Sequence, residues 1–70
     1  MDDESLDLYE KAIIEMDAEN YQYAIDLFEK SYSLDSSNYS AIIGLGKSHS
    51  KLEYYGKAVQ YYKQAEQIQP

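Results

Sequence analysis

The sequence predicts an all-α fold in which two antiparallel helix hairpins stack on each other, giving four helices and no strands. Two observations lead to this prediction. The stretch NYQYAIDLF, residues 20–28, has a near-echo 34 residues later in YYGKAVQYY, residues 54–62. Within each copy the apolar residues recur at intervals of three and four, which is the period of one helix face. A helical repeat of this length indicates one hairpin per unit.

The internal repeat extends beyond the echo, and its aligned positions agree in size and polarity rather than in identity. Small residues mostly align with small ones, and large apolar residues align with large apolar ones. Equivalent packing sites need this agreement because volume matters more there than residue type. The aligned pairs are Leu8 with Ile42, Ala12 with Gly46, Glu19 with Glu53, Tyr21 with Tyr55, Ala24 with Ala58, Ile25 with Val59, Phe28 with Tyr62, Ser31 with Ala65 and Leu34 with Ile68.

The four helices are predicted at roughly residues 4–18, 21–34, 38–51 and 55–68. The polar stretch DAEN separates the first two helices, and its last residue, Asn20, is expected to cap the second helix. The stretch DSSN separates the two units and offers Ser37 or Asn38 as the next cap. The third connection, near Leu52 to Tyr54, has no polar signature, so only the repeat alignment predicts it.

Small residues are expected where the two helices of a hairpin cross closely. Ala12 and Gly46 lie midway along the first helix of each unit, and Ala24 and Ala58 lie near the start of the second. A side chain larger than methyl would push the helix axes apart. Glycine in mid-helix costs about 1 kcal/mol relative to alanine, so close approach is the expected reason for Gly46. The sequence offers no packing reason for Gly44.

The second unit resembles the tetratricopeptide repeat (TPR). It reads Ile42-x2-Leu45-Gly46-x2-His49…Ala58-x3-Tyr62…Pro70, similar to the family pattern W-x2-L-G-x2-Y…A-x3-F…P. The first unit keeps Ala24-x3-Phe28 but departs from the pattern at Lys11, Glu15 and Ser36. The resemblance implies a TPR-type α-solenoid in a single domain, residues 1–70, with repeat one at about 5–38, repeat two at about 39–70 and no capping helix.

The composition argues against several classes of partner. The net charge is −7 and arginine is absent, whereas nucleic-acid binding needs clustered Lys and Arg. The longest apolar run, residues 41–46, is far too short to span a membrane, and no basic-then-apolar leader opens the chain. Without cysteine the chain fits a reducing compartment. We therefore expect a cytoplasmic protein whose partner is a protein or peptide, with no nucleic acid and no membrane.

No residue pattern indicates an enzyme, so we expect no catalytic residue, no cofactor and no metal. His49, the single histidine, lies four residues before Glu53, and a helical His–Glu pair is conceivable. Zinc, however, needs three or four ligands, and His49 occupies an aromatic packing position of the repeat. A packed, hydrogen-bonded histidine is therefore expected. Several serines are expected at caps or helix surfaces, without a base to activate them: Ser31, Ser33, Ser36, Ser37, Ser40, Ser48 and Ser50.

The acidic start of the chain allows two interpretations. Asp2, Asp3, Glu4 and Asp7 form either a cation site or partner-facing patch, or a solvated helix N-terminus. We favour the second interpretation, because carboxylates at a helix N-terminus complement the helix dipole.

The TPR resemblance implies a binding site for an extended peptide or a partner helix on the concave face, formed mainly by the first helix of each hairpin. The matching positions are Leu6, Tyr9, Glu10, Ile13, Met16 and Asp17 in unit one and Ser40, Ile43, Gly44, Lys47, Ser50 and Lys51 in unit two. The family's two-carboxylate clamp is absent, because Tyr9, Ile13 and Gly44 stand at its Lys and Asn positions. The candidate site residues are Tyr9, Ile13, Met16, Ile43, Lys47, Ser50 and Lys51. Among them, Tyr9, Ile13, Ile43 and the Lys47/Lys51 pair suit a ligand with apolar side chains and one carboxylate. The alternative is that Tyr9 and Ile13 pack only locally.

A second hypothesis is a structural repeat unit, either a fragment or an engineered repeat pair, that self-assembles through its uncapped last hairpin. The expected self-association face consists of Leu52, Tyr55, Val59 and Tyr62, with Tyr61 as a further candidate. The chain is then a homo-oligomer, with or without exchanged hairpins, or part of a longer repeat protein. Residues 1–35 carry a net charge of −9 and residues 36–70 carry +2. This asymmetry weakly favours head-to-tail contacts, which need not form a closed assembly.

Overall fold

Four α-helices make up most of the described chain. A computed structural model describes residues 3–68, so Asp2 and Pro70, which the sequence analysis uses, lie outside the described residues. The helices are α1 (Asp3–Asp17), α2 (Tyr21–Leu34), α3 (Tyr39–Lys51) and α4 (Tyr55–Ile68), and residues 3–68 contain no strand. Each end lies within one residue of its predicted position. The predicted fold class is therefore confirmed.

The helices pack against one another in chain order. α1 packs against α2, and α3 packs against α4, so each unit is a hairpin. α2 also packs against α3 and joins the hairpins, whereas α1 meets α3 only over a small area. A side-chain hydrogen bond links α2 to α4, because Gln64 Nε2 donates to the Tyr32 hydroxyl at 3.2 Å. The second helix of the first hairpin is therefore the central element of the fold.

The turn inside the first hairpin is a Schellman motif, in which a residue with positive φ ends one helix before the next begins. This residue is Glu19, with a φ of 65°. Its N–H donates to the Met16 carbonyl at 3.0 Å, and the Asn20 N–H donates to the Glu15 carbonyl at 2.8 Å. Glycine usually occupies such a position, because the left-handed conformation costs other residues about 1–2 kcal/mol.

The second hairpin repeats this turn 34 residues later. Glu53 has a φ of 67°. Its N–H donates to the Ser50 carbonyl at 2.9 Å, and the Tyr54 N–H donates to the His49 carbonyl at 2.8 Å. The connection without a polar signature therefore has the same backbone geometry as the polar one.

Only one of the two asparagines that precede a helix caps it with its side chain. Asn38 Oδ1 accepts a hydrogen bond from the Ala41 N–H at 3.2 Å, so this predicted cap is confirmed. Asn20 occupies the predicted N-cap position of α2, where its carbonyl accepts from the Ala24 N–H at 2.9 Å, but its side chain makes no cap bond. Its Nδ2 instead donates to Glu15 Oε1 at 2.8 Å, because the Schellman turn brings these two side chains together.

Two glycines of α3 allow aromatic rings to approach its backbone. A Cβ at Gly46 would lie 2.8–3.1 Å from ring atoms of Tyr62, so the close approach expected for Gly46 is confirmed. A Cβ at Gly44 would lie 2.8 Å from Phe28 Cε2 and closer still to two other atoms of that ring. Gly44 therefore has a packing role that the sequence does not reveal, because Phe28 belongs to the other hairpin.

A buried polar cluster connects α1, α2 and the start of α3. Ser5 and Ser31 are 0 % exposed, and each hydroxyl donates to the other residue's backbone carbonyl at 2.7 Å. Asn38 Nδ2 donates to the Ser31 hydroxyl at 3.0 Å. Ser48 is also fully buried. The expectation that Ser31 and Ser48 lie at caps or helix surfaces is therefore wrong: Ser31 bonds to Ser5 of α1 and to Asn38, whereas the buried Ser48 hydroxyl has no hydrogen-bond partner within residues 3–68.

Candidate functional site

A cavity of about 580 Å³ opens between the two hairpins near the C-terminal ends of α1 and α3. It is lined by Met16, Asp17, Glu19, Lys47, Ser50 and Lys51, and by the rings of Tyr21 and Tyr62. Four of the seven candidate site residues, Met16, Lys47, Ser50 and Lys51, are thus brought together by the fold, together with Asp17 from the wider set of groove positions. The cavity combines the first helix of each hairpin, which is where the TPR resemblance leads us to expect a ligand.

The two sides of this cavity carry opposite charges. Lys47 and Lys51 lie one helical turn apart on α3, and both are exposed. Asp17 and Glu19, also exposed, face the cavity from the end of α1 and the turn that follows it. The sequence analysis anticipates the two lysines and Asp17 as groove residues, but not Glu19. The cavity therefore suits a ligand that presents both an anionic and a cationic group.

Tyr9 and Ile13 do not line this cavity. Both are half-buried and pack against the hydrophobic core. The Tyr9 ring lies 5.8 Å from the Phe28 ring between centroids, with the planes tilted by 56°. Such tilted pairs contribute roughly 0.5–1.5 kcal/mol beyond the burial of their area. For these two residues the structure therefore favours local packing, the alternative interpretation.

Ile43 lines a separate, smaller cavity of about 240 Å³. Its other lining residues are Tyr39 on α3 and Tyr62, Ala65 and Glu66 on α4. Tyr62 borders both cavities, since it also lines the larger one. A residue expected to serve self-association therefore lies at the edge of the concave-face cavity.

The remaining groove positions from the resemblance are scattered. Gly44 is buried against Phe28, so it is not an accessible groove residue. Leu6 is 38 % exposed and Glu10 is exposed, but neither lines the larger cavity. Ser40 is half-buried at the start of α3. The groove positions that line the larger cavity are therefore confined to the C-terminal halves of α1 and α3.

Three of the four residues expected at the self-association face form an exposed stripe on α4. Tyr55, Val59 and Tyr62 are 59 %, 49 % and 37 % exposed, and their spacing of four and three residues places them on one side of the helix. Leu52 differs, because it lies in the turn before α4, is half-buried and packs against the hydrophobic core. Tyr61 likewise packs against the core.

His49 is packed as expected, but one of its ring nitrogens has no partner. The ring is 7 % exposed and stacks on Tyr61, with 5.4 Å between centroids and 16° between planes. Within residues 3–68, Nδ1 has no hydrogen-bond partner, so the expected hydrogen bond is not found there. Burial lowers the pKa of His49 below its ordinary value of 6.5, and Lys57 lowers it further, while Glu29 opposes the shift. Both effects favour the neutral form of the imidazole.

His49 also borders a groove of about 570 Å³ between α2 and α4, which the sequence analysis does not anticipate. Glu29 of α2 and Lys57 and Tyr61 of α4 contribute to this groove. Burial and the nearby Glu29 raise the pKa of Tyr61. The groove has no local sequence signal, because its residues come from three helices.

Neither metal sites nor membrane-spanning helices are found in the described part of the chain. Within residues 3–68, no three His, Cys, Asp or Glu side chains are grouped so that they could hold a metal ion. No helix of this range has both the length and the apolar character that crossing a bilayer requires. No protein-family model matches the chain, and no curated protein or solved structure shows significant similarity to it.

Proposed function

We propose that this protein is a non-enzymatic interaction module of TPR type, working in the cytoplasm, that binds a peptide or a partner's helix. The ligand lies on the face formed by α1 and α3. The observation that carries the proposal is the 580 Å³ cavity, which joins Met16 and Asp17 of one hairpin to Lys47, Ser50 and Lys51 of the other. The repeat resemblance supports the proposal, because TPR hairpins bind their ligands mainly with the first helix of each hairpin.

The chemistry of the cavity narrows the ligand class. Lys47 and Lys51 supply two exposed ammonium groups for a carboxylate, either an acidic side chain or a peptide C-terminus. Asp17 and Glu19 supply carboxylates for a basic side chain. Met16 and Tyr62 add adaptable and aromatic apolar contacts. We therefore propose a peptide that presents an acidic and a basic residue within a few positions of each other, together with an apolar side chain.

A peptide panel followed by nuclear magnetic resonance tests this proposal. The panel consists of short peptides with both charges, with only acidic residues, with only basic residues, and with free or amidated C-termini. We expect the peptide with both charges to bind best and to shift the backbone amide signals of Met16, Lys47, Ser50 and Lys51. Lys30 and Ser33, on the far part of α2, serve as internal controls that should not shift. The proposal is wrong if none of the peptides saturates at about 1 mM, or if shifts are equal on both faces.

A further inference from the structure

α2 and α4 occupy equivalent places in the two hairpins, but only α2 is covered on both sides. Ile25 and Phe28 of α2 are 2 % and 0 % exposed, because α3 packs against this helix as well as α1. The aligned residues of α4, Val59 and Tyr62, are 49 % and 37 % exposed. Within residues 3–68 no helix packs on that side of α4. α4 therefore presents an apolar face of the kind that α2 uses to bind a neighbouring helix.

The α1 helix of a second copy is poorly suited to cover this face. Two α3 residues that lie buried in the fold, Ala41 and Gly44, align with Asp7 and Glu10 of α1. Both carboxylates are exposed. Gly44 packs against Phe28, which aligns with Tyr62, so an α1 helix in this place would set Glu10 against Tyr62 and take its carboxylate out of water without a partner. The charge asymmetry favours this head-to-tail contact, but the burial of a carboxylate opposes it.

The α4 helix of a second copy offers a better match, because it carries the same apolar stripe. We propose that two copies associate through α4, with the two helices antiparallel across a two-fold axis. When Val59 of each copy faces Tyr62 of the other, Glu66 near the C-terminal end of α4 lies opposite the partner's Tyr55. A carboxylate near a helix N-terminus is favourable, and the tyrosine hydroxyl can donate to it.

The smaller cavity supports this register. It has a volume of about 240 Å³ and lies beside Glu66, lined also by Tyr39, Ile43 and Ala65. In the antiparallel arrangement the partner's Tyr55 enters this cavity, and its hydroxyl reaches the Glu66 carboxylate. The ring is then buried while its polar end keeps a hydrogen bond, as buried tyrosines usually do.

Charge favours the same arrangement. Residues 1–35 carry −9, whereas residues 36–70 carry +2, so contact through α4 keeps the two acidic hairpins apart. The interface is smaller than the roughly 800 Å² per partner of a standard complex, because only a few side chains contribute. We therefore expect a reversible dimer with a Kd on the order of micromolar to millimolar. An isologous contact closes at two copies.

Sedimentation velocity from about 10 µM to about 1 mM tests the dimer. The parent chain should show a monomer–dimer equilibrium that salt does not weaken, since salt screens the repulsion between two acidic chains. Val59→Glu should remain monomeric. Gln60→Glu is the matched control, because it adds the same charge at the neighbouring exposed position off the stripe, and it should dimerise like the parent. Val59 does not line the 580 Å³ cavity, so a failure of this inference is distinguishable from a failure of peptide binding.

Single cysteines test the orientation, because the chain contains none of its own. A mixture of the Tyr55→Cys and Glu66→Cys variants should form a mixed disulfide-linked dimer under mild oxidation, and neither variant alone should do so efficiently. A parent chain that stays monomeric throughout the range overturns the inference. Growth beyond two copies, or efficient cross-linking of Tyr55→Cys to itself, overturns the closed antiparallel arrangement.

Discussion

The backbone of α3 at Gly44 lies against the ring of Phe28, so close that a Cβ there would overlap three ring carbons. This contact joins the two hairpins, since Phe28 belongs to the first and Gly44 to the second. Phe28 is fully buried, and its ring also packs against the Tyr9 ring of α1. The spacing between the hairpins therefore depends on the absence of a side chain at Gly44. The distance from Lys47 to Asp17 across the cavity depends on it as well.

Alanine at the three glycines should have three different effects on the free energy of unfolding. Gly44→Ala should lower it by about 1–3 kcal/mol, because the buried Phe28 ring cannot move aside. Gly46→Ala should lower it less, because its neighbour Tyr62 is 37 % exposed and can swing outward. Gly56→Ala is the control and should raise it by up to about 1 kcal/mol, since nothing lies within 4 Å of the added methyl. Urea denaturation measures all three, and equal stability of Gly44→Ala and Gly56→Ala would contradict this packing.

Glycine should raise the stability, rather than lower it, at the two glutamates with positive φ. Replacing Glu19 or Glu53 by glycine should raise the free energy of unfolding by roughly 0.5–1 kcal/mol, because glycine adopts positive φ without steric cost. Glu10→Gly provides the matched control in the interior of α1, where it should lower stability by about 1 kcal/mol. Thermal and urea unfolding of the three variants checks this. Loss of stability in all three would mean that the Schellman turns are not formed as described.

The buried His49 predicts a pH dependence of stability. Its pKa is lower in the folded protein than in the unfolded chain, so the unfolded chain binds the proton first as the pH falls. The free energy of unfolding should therefore be highest above about 6.5 and decline as the pH falls from about 7 towards about 5. His49→Phe keeps a ring against Tyr61 but cannot titrate, and the decline over this range should be smaller. An identical decline in both proteins, measured by urea titration at each pH, would assign the effect to other groups.

Local patterns and the 34-residue repeat together were sufficient to predict the four helices. Apolar spacing, the polar breaks at DAEN and DSSN and the repeat alignment placed every helix end within one residue. The alignment also predicted the third connection near Leu52, where no polar signal exists, because the two turns are equivalent. These features depend on residues close together in the chain.

Features that depend on distant residues could not be predicted. Ser31 can be buried because Ser5, 26 residues earlier, satisfies its hydrogen bonds, and nothing near Ser31 in sequence indicates this. Tyr9 was expected in the groove, but its ring packs on Phe28. Asp17 was expected in the groove, but Glu19 was missed because it faces the cavity from a turn whose left-handed conformation lacks the usual glycine.

Paired charge reversal tests the proposed binding face most directly. The variant Lys47→Glu/Lys51→Glu changes the cavity, whereas Lys30→Glu/Lys63→Glu changes the net charge by the same amount on the second helices. Affinity for the best peptide of the panel is measured for both variants and the parent by fluorescence anisotropy at low and moderate salt. We expect the cavity variant to lose about tenfold or more in affinity, roughly 1.4 kcal/mol, and the control variant to lose much less.

A peptide whose acidic residue is replaced by lysine should regain affinity for the cavity variant alone. Equal losses in both variants, removed by salt, would show non-specific attraction and contradict a binding site between α1 and α3.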